Sequence, residues 1–147
     1  MAAADHDSAH VVAIARSWIG TPYHHQASAK GVGCDCLGLV RGIFREIYGR
    51  EPETPPPYTR DWAEMRGEET LRDAARRHLH EIPAEQFGAG DMLLFRLRNG
   101  PAKHAAIACG RDRMIHAYDR HAVHECAIPE GWRRRIAYAF RFPSVIS

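Results

Sequence analysis

Cysteine is scarce and unevenly spread, with four residues at Cys34, Cys36, Cys109 and Cys126. That density and irregular spacing exclude a disulfide-rich scaffold, and the thiols are expected to be mostly reduced. Charge of one sign is also missing. A formal net charge of +2 lacks the basic footprint of a nucleic-acid-binding protein, so no nucleic-acid partner is expected. No apolar run is long enough to span a bilayer, and no membrane insertion is expected. Residues Met1 to Ala9 carry two aspartates and no cationic segment ahead of an apolar stretch, unlike a secretory signal. Internal repeats and low-complexity segments are absent, which removes repeat arrays and disordered tails.

What remains is an ordinary soluble composition, 45% hydrophobic and 26% charged over 147 residues. One domain over residues 1–147 with its own core is expected. Ser8 reads as an N-cap, followed by Val11, Ile14, Ala15, Trp18 and Ile19 at helical spacing and a stop at Gly20. A polar loop containing "TPYHH" leads to a second helical stripe, Cys36, Leu39, Val40, Ile43 and Ile47, ended by Gly49. Four prolines within residues 52–57 form a rigid connector, and "DWAEM" and "ETLRDAARRHL" read as surface helices. From Gly90 onward the pattern changes to short strands: "DMLLFRL", "KHAAIAC", "RMIHAY", "AVHECAI" and, after a turn at "PEGW", "IAYAFRF". Helices first and strands second give an α+β class, N-terminal helices packed on an antiparallel meander. The basic run Arg133-Arg134-Arg135 reads as a solvated face, or as a surface drawn to a polyanion such as a cell envelope.

The segment "GVGCDCLGLV" carries the chemistry. The helical stripe puts Cys36 at the N-terminal end of a buried seam. There a helix dipole lowers a thiol pKa and free N–H groups hold a developing oxyanion. The alternative at this stage is a small buried hydrophobe. Asp35 reads as the N-cap, and its charge opposes thiolate formation. A base is available in the strands. His104 shares a strand face with Ala106 and Ala108, small residues expected to admit a helix. A three-residue loop "CGR" would pair Ala108 with Asp112 and set His104 directly opposite His116. One imidazole then orients the other, as in a nucleophile–base–orienter triad; the alternative is two half-buried histidines.

These residues resemble the NlpC/P60 cysteine peptidases, a papain-like α+β family. The resemblance lies in "DCLGL" from Asp35, "GDMLLF" from Gly90, "HAAI" from His104, "IHA" from Ile115 and the upstream Pro22-Tyr23, in the family's order. It runs from about Ser8 to Phe142 and is closest to the compact members encoded by tailed phages and gene transfer agents. Leu37 stands where the family has serine, Ala106 where glycine is common, and the insert from Glu51 to Gln86 is untypical. The resemblance implies Cys36 as nucleophile, His104 as base, His116 as orienter and Tyr23 at the oxyanion, with no metal and no cofactor. It implies peptidoglycan stem peptides as substrate and phage-like tail-tip or baseplate proteins as partners. The implied location is a particle tail acting in the periplasm or cell wall, after synthesis in the cytoplasm without a signal peptide.

Two rival readings stand beside it. One is a structural tail-tip adaptor that keeps the peptidase fold. The other is a metal-binding module built from Cys34, Cys36, His24 and His25, or from His121, His124 and Cys126, although Cys-x-Cys fits zinc spacing poorly.

Overall fold

The structure, a computed structural model, describes residues 5–53 and 69–145. The helix expected at "DWAEM" and most of the proline-rich connector lie outside the described residues. Helix α1 (Ser8–Ser17) is capped one residue earlier than expected, by Asp7, whose carboxylate accepts the Ala9 N–H at 3.0 Å. A carboxylate there satisfies a free N–H and also suits the positive end of the helix. Helix α2 (Cys36–Tyr48) matches the expected stripe in Leu39 and Ile43, which are fully buried, and ends at left-handed Gly49 with φ +74°. The two helices meet at Gly42, where an added Cβ would lie 2.1 Å from the Trp18 ring. Trp18 Nε1–H donates to Glu46 Oε2 at 2.7 Å, so the buried indole keeps its polar contact.

Two short strands, β1 (Ser28–Ala29) and β2 (Gly33–Cys34), pair antiparallel ahead of α2. After α2 come helix α3 (Thr70–His78) and strand β3 (His80–Ile82). The strands expected from sequence follow as β4 (Met92–Phe95), β5 (His104–Ala108), β6 (Arg113–His116), β7 (His124–Ala127) and β8 (Ile136–Arg141). The "PEGW" turn is a short helix, α4 (Glu130–Arg133). The main sheet runs β3-β8-β4-β5-β6-β7 and every neighbouring pair is antiparallel. The α+β class, helices on an antiparallel sheet, is as expected. The meander holds from β4 to β7, but β8 crosses back to lie between β3 and β4. The insert is no mere surface feature: Leu71 of α3 and the adjoining Leu79 are buried in the core, and β3 forms a sheet edge.

Both faces of the sheet are covered. Met92, Leu94, Ala105, Ile107 and Ile115 face Ala15, Leu39 and Ile43 of the helices. Leu93, Phe95, Ala106, Ala108 and Met114 face the other way, against Phe87, Ile128 and Trp132. The helix therefore approaches β5 over Ala105, not over the face of Ala106 and Ala108. With apolar residues on both parities, "HAAIA" carries no polar alternation to mark the outer face. The β5–β6 register also differs from expectation. Ile107 pairs with Ile115 and Ala108 with Met114, and Cys109 N–H still donates to Arg113 O at 2.9 Å. The loop is thus Gly110-Arg111-Asp112, opening on Gly110 at φ +146°. An even shift leaves each side chain on its face, so His104 and His116 are offset along the strands but remain on one side.

Gly42→Ala is expected to destabilise the fold by about 1–3 kcal/mol, because the new methyl meets an indole with no space behind it. Urea unfolding with an unchanged slope and a lowered midpoint is the expected result.

Candidate active site

Asp35 builds the loop that presents Cys36. Its Oδ1 accepts the Gly38 N–H at 2.7 Å, the N-cap bond, and its Oδ2 accepts the Gln26 N–H at 2.8 Å. The first turn of α2 is thereby tied to the preceding loop. Gly38 makes the close approach possible, since a Cβ there would lie 1.8 Å from Ala27 O. Ser28 donates to Gly38 O at 2.6 Å, and Arg45 donates back to Ser28 Oγ and O at 2.9 and 2.7 Å. The neighbouring Cys34 is fully buried, its N–H donating to Pro22 O and its carbonyl accepting from His24. This pairing holds Tyr23 alongside β2.

The Cys36 thiol reaches the start of β5. Its sulfur lies 4.0 Å from Lys103 O and accepts from the main-chain N–H groups of Ala105 and Leu37. The peptide units on both sides of His104 therefore touch the sulfur, and its polar contacts among the described residues are main-chain groups, not an imidazole. Burial pushes the thiol up to about 12, with the Asp35 carboxylate adding to the rise. The helix-dipole effect expected from sequence is outweighed here by loss of solvent.

His104 and His116 project from the opposite sheet face and meet, His104 Nε2 lying 2.8 Å from His116 Nδ1. Trp132 stands edge-on to both rings, with centroids 5.5 Å away, and Tyr118 stacks on His116 at 5.9 Å. Phe95 closes the side at 6.0 Å from His104. Burial lowers both imidazole pKa values; a charge on His116 lowers His104 further, and His124 and His121 lower His116. Both rings are thus neutral at pH 7. Tyr23, Lys103, His104 and Tyr118 line one cavity of about 440 Å³. The aromatic shell has no local signal in the sequence, where Trp132 lies within "PEGW", a segment that reads as a plain turn.

Residues 20–141 match the profile of the NlpC/P60 family. The chain belongs to the NlpC/P60 family. Among solved structures it is similar to the NlpC/p60 domain of the peptidoglycan hydrolase SagA, at 25% identity and TM-score 0.67, over 91% of this chain and 97% of that one. It also shares its fold with an NLP/P60 family lipoprotein-like protein of Staphylococcus aureus, at 20% identity and TM-score 0.68. The match there covers 99% of this chain but 45% of the other. The peptidoglycan hydrolase RipB of Mycobacterium tuberculosis is 19% identical with TM-score 0.61, over 94% and 65% of the two chains. Comparison with curated protein sequences finds no match.

Within this NlpC/P60 domain the fold accounts for the departures from the family motif. Leu37, in place of serine, lines an apolar cavity with Leu71 and Ala75 of α3, so the insert supplies the surface that a leucine needs. Ala106 is fully buried on the second face. All four cysteines are free. Among the described residues His24 and His25 do not join Cys34 and Cys36 as a ligand group, whereas His116, His124 and Cys126 do converge.

Asp35→Asn keeps one cap acceptor while removing the charge beside the sulfur. Alkylation of Cys36 at fixed pH is expected to quicken several-fold, with a stability loss of about 1 kcal/mol from the weakened Gln26 contact. An unchanged alkylation rate would show that the carboxylate does not hold the thiol in its neutral form.

Proposed function

We propose that this chain is a cysteine endopeptidase acting on peptidoglycan stem peptides, with Cys36 as nucleophile, His104 as base and His116 as orienter. The observation that carries this reading is the hydrogen-bonded His104–His116 pair at the head of β5, with the Cys36 sulfur against the peptide units flanking His104. His104 Nε2 is taken up by His116, which leaves Nδ1 as the atom able to accept a proton. In the reading offered here His104 Nε2–H donates to His116 Nδ1, and Nδ1 of His104 carries a lone pair. A high thiol pKa and low imidazole pKa values favour a neutral pair at rest. The proton then moves from sulfur to His104 Nδ1 as sulfur attacks the scissile carbonyl. Contacts of this kind commonly tighten only with substrate bound. The Cys36 N–H at the start of α2, together with Tyr23, receives the oxyanion. His104 gives its proton to the leaving amine, and water attacks the thioester with His104 again as base.

Digestion of purified peptidoglycan followed by mass spectrometry of the fragments tests this. Cleaved stem peptides are expected from the unaltered chain and none from Cys36→Ala. His104→Ala should cost about 10²–10⁴-fold, and His116→Ala less, since water partly replaces an orienter. Because the folded pKa of each imidazole is lowered, both stay basic as pH falls below the ordinary 6.5. The acid limb of the rate profile therefore lies well below 6.5, and a midpoint at 6.5 contradicts the assignment.

The finer reading is delivery on a phage-like tail, supported by resemblance to the compact tail and gene-transfer-agent members of the family. On this reading the protein is present in purified particles, and its deletion lowers DNA entry while head assembly continues. Recovery only as a free cytosolic protein contradicts it.

A further inference from the structure

Beside the proposed catalytic pair lies a second cluster. His116 stands directly opposite His124 in the β6–β7 ladder, and Cys126 is two residues along from His124. Residues two apart on a strand share a face, and opposed residues have Cβ atoms about 5 Å apart. The ligand atoms of His116, His124 and Cys126 accordingly all lie within 4.8 Å of one another. His116 Nε2 is 3.7 Å from Cys126 Sγ. A tetrahedral ion with Zn–S of about 2.3 Å and Zn–N of about 2.0 Å holds those two atoms roughly 3.5 Å apart.

His124 and His121 are also held in a suitable tautomer. His124 Nδ1 lies 3.0 Å from Ala122 O, so it carries the proton and leaves Nε2 as a lone pair. His121 does the same through Asp119 O at 2.9 Å, and lines the same cavity as the other three residues. His116 has Nδ1 against His104 and Nε2 outward, so it can ligate through Nε2 once its proton moves to Nδ1. Outer hydrogen bonds on Nδ1 are what orient imidazole ligands in metal sites.

We infer that His116, His124 and Cys126 bind a thiophilic divalent cation such as Zn²⁺, with His121 or water in the fourth position, and that the bound ion switches the peptidase off. The switching half rests on the reading of His104 Nδ1 as the base. A neutral His116 that gives Nε2 to a metal must carry its proton on Nδ1. That N–H then donates to His104 Nε2, and the single proton of His104 has to sit on Nδ1. The atom needed to accept the Cys36 proton is thereby filled. Both imidazoles keep one proton each, and the one proton released to solvent comes from the Cys126 thiol.

The test uses Co²⁺ as a probe on the reduced, metal-free chain, followed by Zn²⁺ during peptidoglycan digestion. One equivalent of Co²⁺ should give a thiolate-to-cobalt absorption band that Cys36→Ser retains and that both Cys126→Ser and His124→Ala lose. Circular dichroism checks that the variants are folded, and two independent variants guard against one failing to fold. Zn²⁺ should inhibit the unaltered chain, while His124→Ala, measured against its own metal-free rate, needs at least about tenfold more Zn²⁺ for the same fractional inhibition. A band that survives both ligand substitutions, or that disappears with Cys36→Ser, overturns the site. Equal inhibition of His124→Ala overturns the switch. If the metal-free chain cleaves no peptidoglycan, the functional reading fails on its own, and the cobalt band still decides the site.

Discussion

Both carboxylate oxygens of Asp35 accept backbone N–H groups, one from the first turn of α2 and one from the loop before it. The rest of the site depends on that pair of hydrogen bonds. It fixes where the helix begins, and so where Cys36 meets the head of β5. The fit works only because Gly38 lets the helix backbone approach Ala27 O far closer than any side chain allows. An aspartate before the cysteine and a glycine two residues after it are thus requirements of a single junction. The same carboxylate works against thiolate formation, so the arrangement gains position at the expense of ionisation.

That trade sets the electrostatic character of the site. A part-buried thiol with a raised pKa and buried imidazoles with lowered ones form a set of neutral groups, each disfavouring charge because it is shielded from solvent. The aromatic shell of Phe95, Tyr118 and Trp132 reinforces this by keeping solvent from the rings. On the proposed mechanism proton transfer is coupled to substrate arrival, since the charge leaving sulfur passes to a carbonyl oxygen held by backbone N–H groups.

Much of this was legible in the sequence where one local signal decides the outcome. The α2 stripe, its Asp35 cap and its Gly49 stop lie within one element and follow from spacing alone. The pairing of His104 with His116 was legible as shared parity, which survived even though the hairpin register is two residues away from the simplest loop. What was not legible depends on distant parts of the chain. The face over which α2 approaches β5 is decided by Phe87, Ile128 and Trp132 covering the other side, and "HAAIA" alone carries no sign of them. Strand β3 is three residues long and gains its place in the sheet by pairing with β8, more than fifty positions later. Leu37 read as a departure from a motif, and it makes sense once Leu71 and Ala75 of the insert are seen to line the same cavity.

The position of β8 bears on when the sheet can close. Among the described residues it is the last strand in chain order, yet it lies inside the sheet, between β3 and β4. A ribosome-bound chain that has not yet released Arg141 has β4 without one neighbour and β3 without any. The histidine-bearing strands lean on that incomplete half through β4. Sheet closure must then await the emergence of β8 from the ribosome, and the long-range pairing slows it further. The His104–His116 pair thus gains its full support only once β8 has emerged and closed the sheet.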